Sequence, residues 1–79
     1  MPTAQNIVGP EIRKLRFQKG WTQGVLAARC SRAGWDVSEN IIAKIEARIR
    51  CVTDEEIVRL AAALEVGIEE LFPVRVRKS

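Results

Sequence analysis

Three hydroxyl residues, Thr22, Ser38 and Thr53, each stand directly ahead of an apolar series at helical spacing, and no other feature constrains the fold as much. A side-chain oxygen there accepts from an otherwise unpaired first-turn amide, so each marks a helix start. Behind Thr53, Glu56 completes a T-x-x-E capping box, and Ile57, Leu60, Ala61 and Leu64 form the stripe up to the break at Val66-Gly67. Behind Thr22 come Leu26, Ala27, Cys30 and Ala33, with Gly34 as a natural stop. Behind Ser38, the residues Ile42, Ile45 and Ile49 share one face, while Glu39, Asn40 and Lys44 point elsewhere, in a run reaching Ala47 or slightly beyond. An earlier helix is expected from about Pro10 to Lys19. Pro10 and Glu11 suit its first turn, Ile12, Leu15 and Val8 form its apolar face, and Gly20 stops it. A short fifth helix, Ile68 to Phe72, turns Leu71 and Phe72 inward before Pro73 ends it. The expected architecture is all-α, with five helices and no confident strand. Residues 1–8 read as an N-terminal arm, 9–72 as one domain and 73–79 as a basic tail. The closing VRVRKS either pairs as an edge strand in a dimer or remains a disordered basic arm, and disorder is favoured.

The chain has 79 residues, 47% of them apolar, which allows one small domain with little core to spare. No apolar run approaches the roughly 18 residues of a membrane span, and MPTAQNIVGP lacks the pattern of a signal peptide, so the cytoplasm is the expected compartment. Cys30 and Cys51 sit in different segments, and the chain has no histidine. A zinc site would need carboxylates to complete it, and a disulfide is disfavoured in a reducing compartment. Cys30 is expected in the core and Cys51 in a loop. No metal or cofactor is implied. An enzyme is not expected either: there is no Gly-rich phosphate loop and no nucleophile placed with a base in a readable motif.

Charge divides unevenly. Residues 1–50 carry nine Lys or Arg against four Asp or Glu, and residues 51–79 carry four against six. The basic half contains SENIIAKIEARIR, a short helix whose outward groups can hydrogen-bond, which is what the DNA major groove admits. A basic half around such a helix is the footprint of a polyanion binder. TQGVLAARC reads as its supporting helix.

Those residues carry a family resemblance. GPEIRKLRFQKGWTQGVLAAR, VSENIIAKIEAR and VTDEEIVRLAAALEVGIEELF, spanning Gly9 to Phe72, resemble the phage-repressor-like helix-turn-helix family (Cro and lambda-repressor-like, XRE). The most specific part is LR-x-x-KG-x-TQ-x-x-LA followed by S-x-x-x-I-x-K-IE. The resemblance implies a five-helix domain that binds double-stranded operator DNA, commonly as a homodimer, with the third helix in the major groove. It implies that Thr22 caps the second helix and that Gln23 touches the DNA backbone. Around the third helix, Ser38 is the cap, and Ser38 and Thr22 are both expected among the DNA-binding residues. Glu39, Asn40, Ile41 and Lys44 are expected at base edges: Asn40 on adenine, Glu39 on a cytosine amino group, Ile41 on a thymine methyl, and Lys44 on guanine or phosphate. Arg48 and Arg50 are expected on the backbone. Arg16 and Glu46 are opposite charges, each on the apolar face of its own helix, which makes sense if they meet. The resemblance pairs them too, so a partly buried Arg16–Glu46 salt bridge is expected, orienting the third helix.

Two departures stand out. Residues 31–36 lengthen the connection between the second and third helices by about five residues relative to a tight turn of about three or four, bringing Trp35 near it. Arg48 stands where a glycine commonly follows the IE pair, so Ile49 and Trp21 are expected to be partly exposed, and such a patch can mark a partner surface. The leading function is a sequence-specific transcriptional regulator, a repressor. The alternative is an antitoxin-like or other interaction module that binds a protein partner, supported by the acidic run from Asp54 to Glu70.

Overall fold

All three hydroxyls cap helices. The Thr22 hydroxyl accepts from the Val25 amide at 3.1 Å, and Ser38 from Ile41 at 3.3 Å. Thr53 accepts from Glu56 at 3.2 Å while the Glu56 carboxylate accepts from the Thr53 amide at 3.1 Å, closing the box in both directions. The computed structural model describes residues 6–74, and the VRVRKS tail lies outside them from Arg75 onward. The described residues form α1 (Gly9–Gln18), α2 (Gln23–Arg32), α3 (Glu39–Glu46) and α4 (Asp54–Leu64), with no strand among them. The expected fifth helix is a single 3-10 turn, Ile68–Leu71, which buries Leu71.

The four helices end alike. A residue just past the last turn enters the left-handed region (the one beyond the cap in α1, α2 and α3, and the cap itself in α4), and two amides turn back to bond carbonyls of the last turn. In α1 the Gly20 amide reaches Phe17 at 3.0 Å and the Trp21 amide reaches Arg16 at 3.1 Å. In α2 the Gly34 amide reaches Ser31 at 3.1 Å and Trp35 reaches Cys30 at 2.9 Å. In α3 the same pattern falls on Arg48 (φ 63°), with Ile49 bonded to the Lys44 carbonyl at 2.9 Å. In α4 it falls on Glu65 (φ 60°), not on Gly67, and Val66 bonds Ala61 at 3.1 Å. The turn at Arg48 takes Ile49 off the stripe shared by Ile42 and Ile45: α3 stops at Glu46, one residue short of the expected Ala47, and Ile49, expected to be partly exposed, stands at 74% exposure.

Ile12 of α1, Leu26 and Cys30 of α2, Ile42 and Ile45 of α3, Leu60 and Leu64 of α4, and Leu71 are all completely buried together. Each stripe therefore closes against the others, and α2 packs against both α3 and α4. Trp21, Trp35 and Ile41 lean on this core while remaining partly exposed. Residues 33–38 link α2 to α3. At Gly34 the backbone is left-handed, and a Cβ would lie 2.5 Å from Arg59 Nη1, which itself donates to the Ala33 carbonyl at 2.7 Å. Arg59 of α4 thus covers the end of α2.

Residues 6–8 correct the expected arm, because they belong to the packed body. Asn6 and Val8 are each 2% exposed. The Asn6 amide donates to the carbonyls of Ile45 at 2.9 Å and Arg50 at 2.8 Å, and its oxygen accepts from the Gly9 amide at 2.9 Å. Arg48 Nε donates in turn to the Asn6 carbonyl at 2.7 Å. This staple draws the start of α1 onto the end of α3 so closely that a Cβ on Gly9 would collide with the Ile45 carbonyl.

Candidate nucleic-acid interface

The back of α3 is fixed by charge as well as by packing. Arg16 Nε and Nη2 donate to the two Glu46 oxygens at 2.7 and 3.0 Å, and Arg16 Nη1 donates to the Trp21 carbonyl at 2.8 Å. Both side chains of the pair are nearly sealed, at 7% and 3% exposed. Hydrogen bonding to Glu46 raises the Arg16 pKa, outweighing the opposing effect of burial. Gln23, at the start of α2, donates to Glu46 Oε1 at 3.1 Å. Glu46 therefore ties α1, α2 and α3 at one point. A paired, hydrogen-bonded buried charge of this kind fixes orientation even where it adds little net stability.

The opposite side of α3 faces outward. Ser38, Glu39, Asn40 and Lys44 are exposed, and Ile41 is half-buried. The Glu39 carboxylate stands over the first turn of α2, where a Cβ on Gly24 would lie 3.4 Å from its Oε1. Thr22 and Ser38 give their oxygens to helix caps, and each hydroxyl hydrogen is left to donate outward. Ser38, Glu39, Asn40 and Lys44 are thus all open to solvent, with Ile41 partly covered.

The other expected contact residues carry structural partners. Gln23 is held by Glu46, and Arg48 bridges back to Asn6. Arg50 is bidentate to Glu56, with both bonds at 2.9 Å, and it clasps the loop between α3 and α4. Hydrogen bonding to Glu56 raises the Arg50 pKa, and the same bond is the main cause of a lowered Glu56 pKa.

Asn6 and Arg59, which set the ends of α3 and α2, do not stand out in the sequence, because their partners are backbone carbonyls 39, 44 and 26 residues away. Trp21 differs: it lies between Lys19 and Arg29, whose cationic atoms are 5.3 and 4.3 Å from its ring centre, a contact the neighbouring basic residues could have signalled. No helix of the described residues is long and apolar enough to cross a membrane.

A family model described as helix-turn-helix matches residues 12–71, from the buried Ile12 of α1 to Leu71, the last residue of the closing turn. No curated protein and no solved structure gives a significant match.

Proposed function

The chain belongs to the helix-turn-helix family of Cro and lambda-repressor-like (XRE) DNA-binding regulators, and from that membership we propose that it is a sequence-specific transcriptional repressor reading the major groove with α3. The observation that carries this reading is the division of α3. One side is locked by Ile42, Ile45 and the Arg16–Glu46–Gln23 network, and the other presents Glu39, Asn40 and Lys44 to solvent. A reading helix must hold its register while its outer groups meet base edges, and this arrangement provides both.

In this reading Asn40 pairs with adenine, Lys44 with guanine or a phosphate, and Glu39 accepts from a cytosine amino group. Ile41 offers its exposed edge to a thymine methyl. Thr22, Gln23 and Ser38 meet the sugar-phosphate backbone through the remaining hydroxyl and amide donors. Arg48 and Arg50 lie beside the end of α3, where they add a sequence-independent attraction. Residues 33–38, longer than a tight turn, set the approach of α3 to the groove. A homodimer would read two half-sites one helical turn apart, about 34–36 Å. The protein acts where its DNA lies, which for a bacterial or phage regulator is the cytoplasm.

Selection of bound sequences from a random DNA pool tests the reading. A palindromic enriched site is expected, with enrichment abolished by Asn40→Ala. Absence of any salt-sensitive duplex binding would reverse the reading and favour a protein partner on the same fold. The observation favouring that second reading is the outward Ile49, at 74% exposure, with Val58 at 51% beside the acids of α4.

A further inference from the structure

The cations of the described residues fall into two groups. Arg16, Arg29, Arg50 and Arg59 each have a carboxylate within salt-bridge distance, and Arg48 is bonded to the Asn6 carbonyl. Arg13, Lys14, Lys19, Arg32 and Lys44 have no such carboxylate among the described residues. Those five stand without a carboxylate at salt-bridge distance among the described residues, so their positions bear on where a polyanion is drawn.

Arg13 occupies a particular place. It lines a cleft whose other walls are Gln23, Ala43, Glu46 and Ala47. The cleft therefore opens between α1, the start of α2 and one flank of α3. Ala43 and Ala47 keep that flank low, so a bulky group can approach α3 from this side. The Glu46 charge within the cleft is already taken up by Arg16 and Gln23. The Arg13 guanidinium also rests 5.0 Å from the centre of the Phe17 ring, one turn along α1. Phe17 is 59% exposed and contributes little to the core. What its ring does provide is a face that restrains a neighbouring cation, and a restrained guanidinium loses less freedom when it binds.

We propose that Arg13 is a backbone contact: the cleft between α1 and α3 seats a DNA phosphate against its guanidinium while α3 lies in the groove. This rests on the DNA-binding reading above and adds to it a residue of α1, outside α2 and α3. Arg32, equally without a carboxylate partner, lies at the far end of α2, among Arg29, Ala33 and Ala62, and serves as the control.

The test is a salt series of duplex titrations on the full chain, with a selected and an unrelated duplex, for the wild type and for Arg13→Gln, Arg13→Lys and Arg32→Gln. Melting curves establish that each variant is folded at the titration temperature. One phosphate contact contributes about 0.9 to the slope of log K against log salt. Arg13→Gln is expected to flatten the slope by about that amount and to weaken both duplexes by the same factor. Arg13→Lys should restore the slope, and Arg32→Gln should leave it at the wild-type value. An unchanged slope in Arg13→Gln overturns the proposal, as does a loss confined to the selected duplex, which would mark a base contact. A wild type without salt-dependent binding is a different result, because it overturns the DNA-binding reading itself.

Discussion

Arg48 and Glu65 both hold left-handed backbone, yet their side chains play unequal parts there. That conformation costs a residue with a Cβ about 1–2 kcal/mol, which glycine avoids while giving back part of the gain as unfolded-state entropy. Glu65 has little to offset the strain: its contact with Arg29 is long, at 3.5 Å, and the side chain is 68% exposed, so the pair contributes almost nothing. Glu65→Gly is therefore expected to stabilise the domain by about 0.5 kcal/mol, raising Tm by roughly 2–4 °C. Arg48→Gly relieves the same strain but removes the charged donor to the Asn6 carbonyl at 2.7 Å. A bond of that type contributes about 1.5–3 kcal/mol, so Tm should fall. Paired calorimetric scans decide the matter, and shifts of the same sign in both variants would refute this account of the two positions.

Between elements, the joint at Glu46 is the costliest to disturb. Arg16→Ala leaves a carboxylate buried with only the Gln23 amide for company, and a loss of about 3–5 kcal/mol is expected in denaturant titrations. Replacing both members, Arg16→Met with Glu46→Leu, removes the stranded charge and should recover most of that loss. A double variant no more stable than the single one would contradict it. The clasp between α3 and α4 is read by pH instead. Arg50, with help from Thr53, lowers the Glu56 pKa in the folded chain. Its contribution is therefore fully present above the ordinary carboxylate value of 4.5 and disappears as pH falls from there through the lowered folded value. Glu56→Gln keeps the capping geometry without the charge. The stability gap between wild type and Glu56→Gln, measured by denaturant midpoints, should narrow as pH falls below 4.5, and a gap constant with pH would rule the clasp out. These joints also show what a sequence makes legible. The caps at Thr22, Ser38 and Thr53, the stops at Gly20 and Gly34, and the meeting of Arg16 with Glu46 are written in local pattern or in a charge on an apolar face. The turns at Arg48 and Glu65 carry no glycine to announce them, so the pattern alone places Ile49 both on the α3 stripe and in an exposed patch, and only the turn decides between the two. Gln23 looks like a free surface group in a linear reading because its partner, 23 residues away, arrives only with the tertiary fold, and Arg50 does so because the Glu56 that holds it, six residues on, is already accounted for by the capping box.

At the scale of the whole molecule, the two thiols report on the closure of the body. Cys30 is completely buried where α2 meets the core, and burial pushes its pKa up to about 11, whereas Cys51 lies on the surface. Burial withholds the reactive thiolate form from Cys30, and access favours Cys51. A thiol reagent should therefore modify one cysteine quickly in the native protein and the second only at the rate of opening, with both reacting in denaturant. Two fast thiols in the native state would mean that α2 is not held against the core. The Asn6 staple has a different consequence, one for mapping. Asn6 is held against the carbonyls at the end of α3, so a strand-cleaving chelate attached beside it, at residue 7, would leave scars on bound DNA that reveal which way round the protein sits.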